Sequence, residues 1–276
     1  MADVPPGYFA ASSPTVLTPG PVLPSAVTNV RLRLVLVLLA ALVPVVVTTT
    51  LLAQRARDAG GLVLRAVDQP APAAAGWGPT YLDARGRPAR WDPCVPIAYV
   101  VQSGWIPDAG RRDLAEALRR ISVASGLSFV DEGDTDEMPS RTRASYQPAR
   151  YGQRWAPLLI GWVPPASTDV GIGGGVQGVS LSFAVPGAAG PSLVSGQVAL
   201  DAGNRLAAGF GPGTTDGEVL LHELAHAVGL GHVIDPTQVM YPRTTSSESE
   251  FGAGDRAGLA ALGAPAGCHP APSPRR

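Results

Sequence analysis

Three of the four histidines in this chain fall in one short run, His222-Glu223-Leu-Ala-His226-Ala-Val-Gly229-Leu-Gly-His232. On a helix, His222 and His226 stand one turn apart and project from one face. Two imidazoles so placed can reach one zinc ion at about 2.0–2.1 Å. Glu223 sits beside His222, close to the ion's open position. There it can take a proton from water and later give it to a leaving amine. Glycine adopts the left-handed conformation that ends a helix sharply, so a turn at Gly229 would bring His232 back as third ligand. Three neutral imidazoles leave the ion doubly positive with one position for water, whose pKa can fall towards about 7. A bare pair of helical histidines arises often by chance, and a lone one is usually structural. Five fixed positions at this spacing, in a chain so poor in histidine, favour a metal site with hydrolytic chemistry.

Those residues need a rigid carrier. Thr215 to Gly229 reads as a helix, opened by a capping box of Thr215 and Glu218 and buried through Leu220, Leu221, Leu224, Ala225 and Val228. Upstream, Ile97 to Gln102, Leu127 to Val130 and Leu158 to Val163 read as short buried strands, and Asp108 to Ser125 as an amphipathic helix. Residues 132 to 155 are polar, rich in arginine and without period, and read as a long surface loop. Gly171 to Gly178 is a glycine-rich loop that lacks a phosphate-binding fingerprint. Val179 to Phe183 alternates strictly, which predicts one buried and one open face. Gly196 to Asp201 reads as a further strand and Gly254 to Leu262 as a last helix. This order predicts an α+β domain with helices packed on a sheet.

The 276 residues suffice for one buried catalytic domain, expected over 77–268, with extra segments around it. Net charge is −1, which gives no electrostatic case for nucleic acid. Every basic side chain is arginine, so lysine nucleophiles and Schiff-base chemistry are excluded. Residues 1–30 are rich in proline and read as a disordered tail, residues 56–76 as a linker or stalk, and residues 269–276 as a loose tail. The apolar stretch Leu34 to Ala53, flanked by arginines, has about the 20 residues that span a bilayer. A signal anchor over 31–55 fits it better than a cleaved signal peptide or a core helix, though charge does not orient it. Cys94 and Cys268 lie near the two ends of the domain, where they suit one stapling disulfide in an oxidising compartment; two unrelated buried thiols are the alternative. The pair argues for a catalytic domain outside the cell membrane, secreted if the apolar segment is cleaved.

His222 to His232 resembles the signature H-E-x-x-H-x-x-G-x-x-H of the metzincin zinc peptidases. Val239-Met240-Tyr241-Pro242 looks like their Met-turn, and together the two are most similar to the matrixin branch. The resemblance implies a zincin-like α+β fold: a twisted, mostly parallel sheet with an antiparallel edge strand, an active-site helix and a C-terminal helix. It implies a zinc endopeptidase acting on peptide or protein substrates, with Met240 as a hydrophobic base under the ion. It also implies that backbone at Ser180, Leu181, Ser182 and Phe183 pairs with an extended substrate. The chain departs from the branch in two respects. Matrixins carry a second, structural zinc held mainly by histidines; only His269 is left over here, so one zinc is expected. Nor does a propeptide cysteine motif precede the domain. A structural calcium near Asp169 and the glycine-rich loop has a poor signal. Asp201 and Glu218 read as structural, Tyr241 as groove lining or packing, and Asp255 as a cap of the last helix or a bond to the Met-turn. A different class of function is an idle zinc-binding extracytoplasmic protein that recognises a peptide or a wall component. Glu223 argues against it, since a purely structural metal site has no need of that carboxylate. A monomer is assumed.

Overall fold

The computed structural model describes residues 62–65, 76–211, 213–243 and 250–274. The expected tail and anchor, 1–30 and 31–55, lie outside them. Among the described residues no helix is long and apolar enough to cross a membrane.

The elements in chain order are β1 (Leu62–Arg65), β2 (Ile97–Gln102), α1 (Gly110–Ser125), β3 (Phe129–Thr135), α2 (Pro148–Tyr151), β4 (Leu158–Val163), β5 (Gly178–Gly187), β6 (Gly190–Asp201), α3 (Asp216–Ala227) and α4 (Ala253–Leu262). Six strands form one sheet in the order β1-β5-β6-β4-β2-β3. β6, β4, β2 and β3 run parallel, while β5 is antiparallel to β6 and β1 antiparallel to β5. This is the α+β, mostly parallel architecture expected of the sequence. One addition comes from the segment read as a linker. Leu62–Arg65 pairs outside β5, from Leu62 opposite Ala184 to Arg65 opposite Leu181, so β5 is not the outermost strand there.

Period-two alternation in β4 divides the molecule. Leu158, Ile160 and Trp162 face the main core, which they share with Leu114, Leu118 and Ile121 of α1, Leu220, Leu221 and Leu224 of α3, and Leu259 and Leu262 of α4. Val163, on the opposite face, joins Val170, Ile172, Val179, Leu181 and Ala199 in a second cluster. Two departures from the sequence reading follow from packing on both sides of the sheet. β5 does not have one open face: its residues from Val179 to Val185 are all buried, Ser180 and Ser182 among them. α3 covers the serine face of the strand, with Ser182 Oγ donating to the Ala227 carbonyl (3.4 Å), while on the other face Val179 and Leu181 pack on Val163, Val170 and Ile172, and Phe183 and Val185 on Val194 and Trp155.

Residues 132–155 are likewise more than a surface loop. β3 continues through Thr135, α2 follows, and Arg143 is buried as a tie between layers. Its guanidinium donates to Ser195 Oγ (3.0 Å), to the carbonyls of Gly196 (3.0 Å) and Pro157 (2.9 Å), and to Glu137 (3.0 Å). Burial pushes the Glu137 carboxyl up, but bonds from Arg143, Tyr151 and Gln147 outweigh it and hold it below its ordinary value.

The domain ends are stapled as expected, by a Cys94–Cys268 disulfide with a Cα–Cα distance of 5.4 Å. The first residues of the C-terminal tail are docked rather than loose. His269 is buried and its Nε2–H donates to the Pro191 carbonyl (3.1 Å), while Trp155 donates to Pro272 (2.8 Å).

Candidate active site

Thr215 opens α3, its hydroxyl oxygen accepting from the Glu218 amide (3.2 Å). At the other end the carbonyls that a helix leaves unpaired are all engaged. Leu224 accepts from Val228 (3.1 Å), Ala225 from Leu230 (3.0 Å), His226 from Gly229 (2.9 Å) and Ala227 from the indole of Trp91 (2.9 Å). Gly229 has φ of +105°, and a Cβ there would lie 2.9 Å from the Ala89 carbonyl. Only glycine satisfies both demands, and the turn it makes carries the chain back to His232.

The three expected ligands converge. Nε2 of His226 lies 3.0 Å from Nε2 of His222 and 3.0 Å from that of His232, and the remaining pair is 3.2 Å apart. Nδ1 of His222 donates to the Val239 carbonyl (2.7 Å) and Nδ1 of His226 to the Leu230 carbonyl (2.6 Å). Those bonds put the proton on Nδ1 and leave a lone pair on each of the two Nε2 atoms. Lone pairs facing one another at 3 Å repel unless a cation lies between them. Zinc bound tetrahedrally at about 2.0–2.1 Å would set its nitrogens about 3.3 Å apart, close to the separations observed. The donor set therefore fits zinc. Burial, reinforced by neighbouring His232, lowers His222 to about 4 against the bond to Val239. Burial followed by the other two rings lowers His226 well below its ordinary value. Both rings are neutral at neutral pH, the form that ligates metal.

Glu223 is buried, and burial pushes its carboxyl up to about 8. A dication beside it would draw that value down again. Its place depends on Gly178, at the start of β5. A Cβ there would stand 2.6 Å from Glu223 Cγ and 2.9 Å from Oε1. Sequence reasoning missed Gly178, because it closes a run of glycines and nothing local marks it as different. Met240 is fully buried in the main core, and its carbonyl accepts from Val233 (3.0 Å). Asp255 realises both roles open to it: Oδ2 accepts from Gly252 at the start of α4 (2.9 Å) and from Val239 in the Met-turn (2.8 Å).

Around these residues lies a cavity of about 410 Å3, lined by His222, Glu223, His226, His232, Glu218, Tyr241 and the segment Gly175 to Ser180. Of the expected substrate strand, Ser180 borders this cavity. Leu181, Ser182 and Phe183 are paired with β1. Asp169 is engaged elsewhere, accepting from the Arg141 amide (2.8 Å). Among the described residues the other cluster with metal-ligand atoms is Asp92, Cys94 and Cys268, whose sulfurs are bonded to each other.

The family model for matrixin matches residues 174–262, the stretch that runs from the glycine-rich loop through α4. Matrilysin of Felis catus is 31% identical over 157 residues, covering 52% of this chain and 59% of that protein. The chain thus spans under two thirds of the length of this relative. The histidine triad lies within the matched stretch, so residues 174–262 are similar to a matrixin domain in both sequence and the grouping of these three side chains.

Proposed function

We propose that this protein is a zinc-dependent endopeptidase in which His222, His226 and His232 hold the ion and Glu223 is the general base. The observation that carries the reading is the convergence of three imidazole Nε2 atoms within 3.2 Å, with a buried carboxylate on the same helix and cavity. Zinc, when bound, supplies Lewis acidity toward a carbonyl and toward water. The chain's own residues do the rest. The Val239 and Leu230 carbonyls hold His222 and His226 in one tautomer and one orientation. Glu223 takes a proton from water at the open side of the triad and returns it to the leaving amine. Its tight fit against Gly178 restricts where the carboxylate can stand. Matrilysin and the matrixin model support a peptide as substrate. The cavity-side stretch Gly175 to Ser180 offers a place for an extended chain.

Glu223→Gln tests the reading. Cleavage of a generic peptide library should fall by about 10²–10⁴-fold while zinc content stays at one per chain. Equal inactivity of wild type and variant, both with zinc bound, would instead support a protein that binds zinc without catalysis. We place the domain on the outer side of a membrane, held by the apolar stretch Leu34 to Ala53, because the chain carries a disulfide. Mass spectrometry of the mature N-terminus checks this: an intact residue 1 region supports the anchor, and a start near residue 57 supports secretion.

A further inference from the structure

Glu218 occupies the first turn of α3, one turn before His222, and lines the same cavity as the triad and Glu223. It is only 5% exposed, and among the described residues its Oε2 is buried without a hydrogen-bond partner. Burial pushes the carboxyl up to about 7, against the Thr215 backbone N–H that holds it down. The cap does not explain an acid here. A capping box needs one acceptor oxygen at this position, and glutamine supplies it as well as glutamate. The second oxygen is surplus to the helix, and a buried carboxylate oxygen without a partner is costly. The apolar or aromatic side chains of Val219, Val239 and Tyr241 line the same cavity. Arg243 also lines it, but lies exposed at the rim, and burial rather than a neighbouring cation sets the state of the Glu218 carboxyl. A long side chain with an aliphatic stem and a cationic head would pack against those walls and supply the missing partner. One helical turn is about 5.4 Å, so the side chain that meets Glu218 belongs to a residue flanking the bond held at the triad.

We propose that Glu218 is a specificity-determining residue that selects substrates with arginine or lysine next to the scissile bond. The proposal rests on the peptidase reading above and narrows its substrate class. The test uses the zinc-loaded full chain and matched peptides that carry arginine, lysine or norleucine at each position flanking the cleaved bond. The variants are Glu218→Gln, which keeps the cap, and Glu218→Leu, and thermal melting confirms that each is folded. Wild type should favour the cationic peptide by at least about tenfold in kcat/KM, and both variants should lose that ratio. Calorimetric titration with argininamide reads the same contrast without turnover, with binding at least about tenfold weaker in Glu218→Gln. A wild type that favours norleucine, or a cationic preference that survives in Glu218→Gln, overturns the proposal and leaves the peptidase reading standing. Absence of any cleavage by zinc-loaded wild type overturns both.

Discussion

At Gly178 one methyl group decides whether the Glu223 carboxylate can stand where it does. A Cβ would meet three atoms of Glu223 within 3.0 Å, and α3 is too well anchored at both ends to retreat. Gly178→Ala should therefore swing the carboxylate away and leave the zinc ligands in place. A displacement near 1 Å in a reacting group costs up to about 10²-fold in rate. Steady-state kinetics should show kcat falling with zinc stoichiometry intact, and loss of zinc as well would sink the explanation. The residue scale also revises Glu218, which reads from sequence as a helix cap. The cap is real, yet among the described residues the remaining oxygen is buried without a partner on the wall of the cavity that holds the triad.

Between elements, a single chain of bonds links α4 to the metal site. Asp255 of α4 accepts the Val239 amide, and the Val239 carbonyl accepts from Nδ1 of His222. The C-terminal helix thus holds the backbone at Val239, and Val239 orients the His222 ring. Asp255→Ala would strand the amides of Val239 and Gly252, at about 1–3 kcal/mol of stability. Loosening a ligand's supporting bond typically weakens metal affinity by about 10–100-fold. Chemical denaturation and zinc competition against a chelator should report the two losses together. Stability loss with unchanged zinc affinity would mean that Val239 keeps its place without Asp255.

At the scale of the molecule, both ends of the domain are tied to the sheet that carries the site. The Cys94–Cys268 disulfide closes a separation of 174 residues, and Arg90 donates to the Gly267 carbonyl (2.8 Å) beside it. Closing so long a loop restricts the unfolded chain strongly, so a Cys94→Ser, Cys268→Ser double variant should lose about 2–5 kcal/mol. Denaturant unfolding of the two proteins under non-reducing conditions measures this. A difference near zero would show that the tail's other bonds suffice to hold the ends. The segment around Thr80 and Trp91 lies close to Cys94 in the chain and caps the C-terminal end of α3. Removing the disulfide should therefore also raise the susceptibility of residues 77–91 to proteolysis.

Local pattern alone determined a good deal of this protein. The spacing of His222, Glu223, His226, Gly229 and His232 is written in one helix and one turn, so the candidate metal site could be read without tertiary information. Strands Ile97–Gln102 and Leu158–Val163 carry apolar, β-branched runs and appear at the expected residues. The cysteine pair was readable from its position at the domain ends. Other features depend on residues distant in sequence. Both faces of β5 are buried because α3 covers the serine side that alternation predicted to be open, where Ser182 Oγ donates to the Ala227 carbonyl. Arg143 sits in an apparently polar loop, yet its partners Ser195 and Gly196 come from a strand some fifty residues away. Gly178 and Glu218 acquire their roles only where the glycine-rich loop meets α3. Sequence pattern records what a residue can do with its near neighbours, and tertiary packing decided which distant group lay against it.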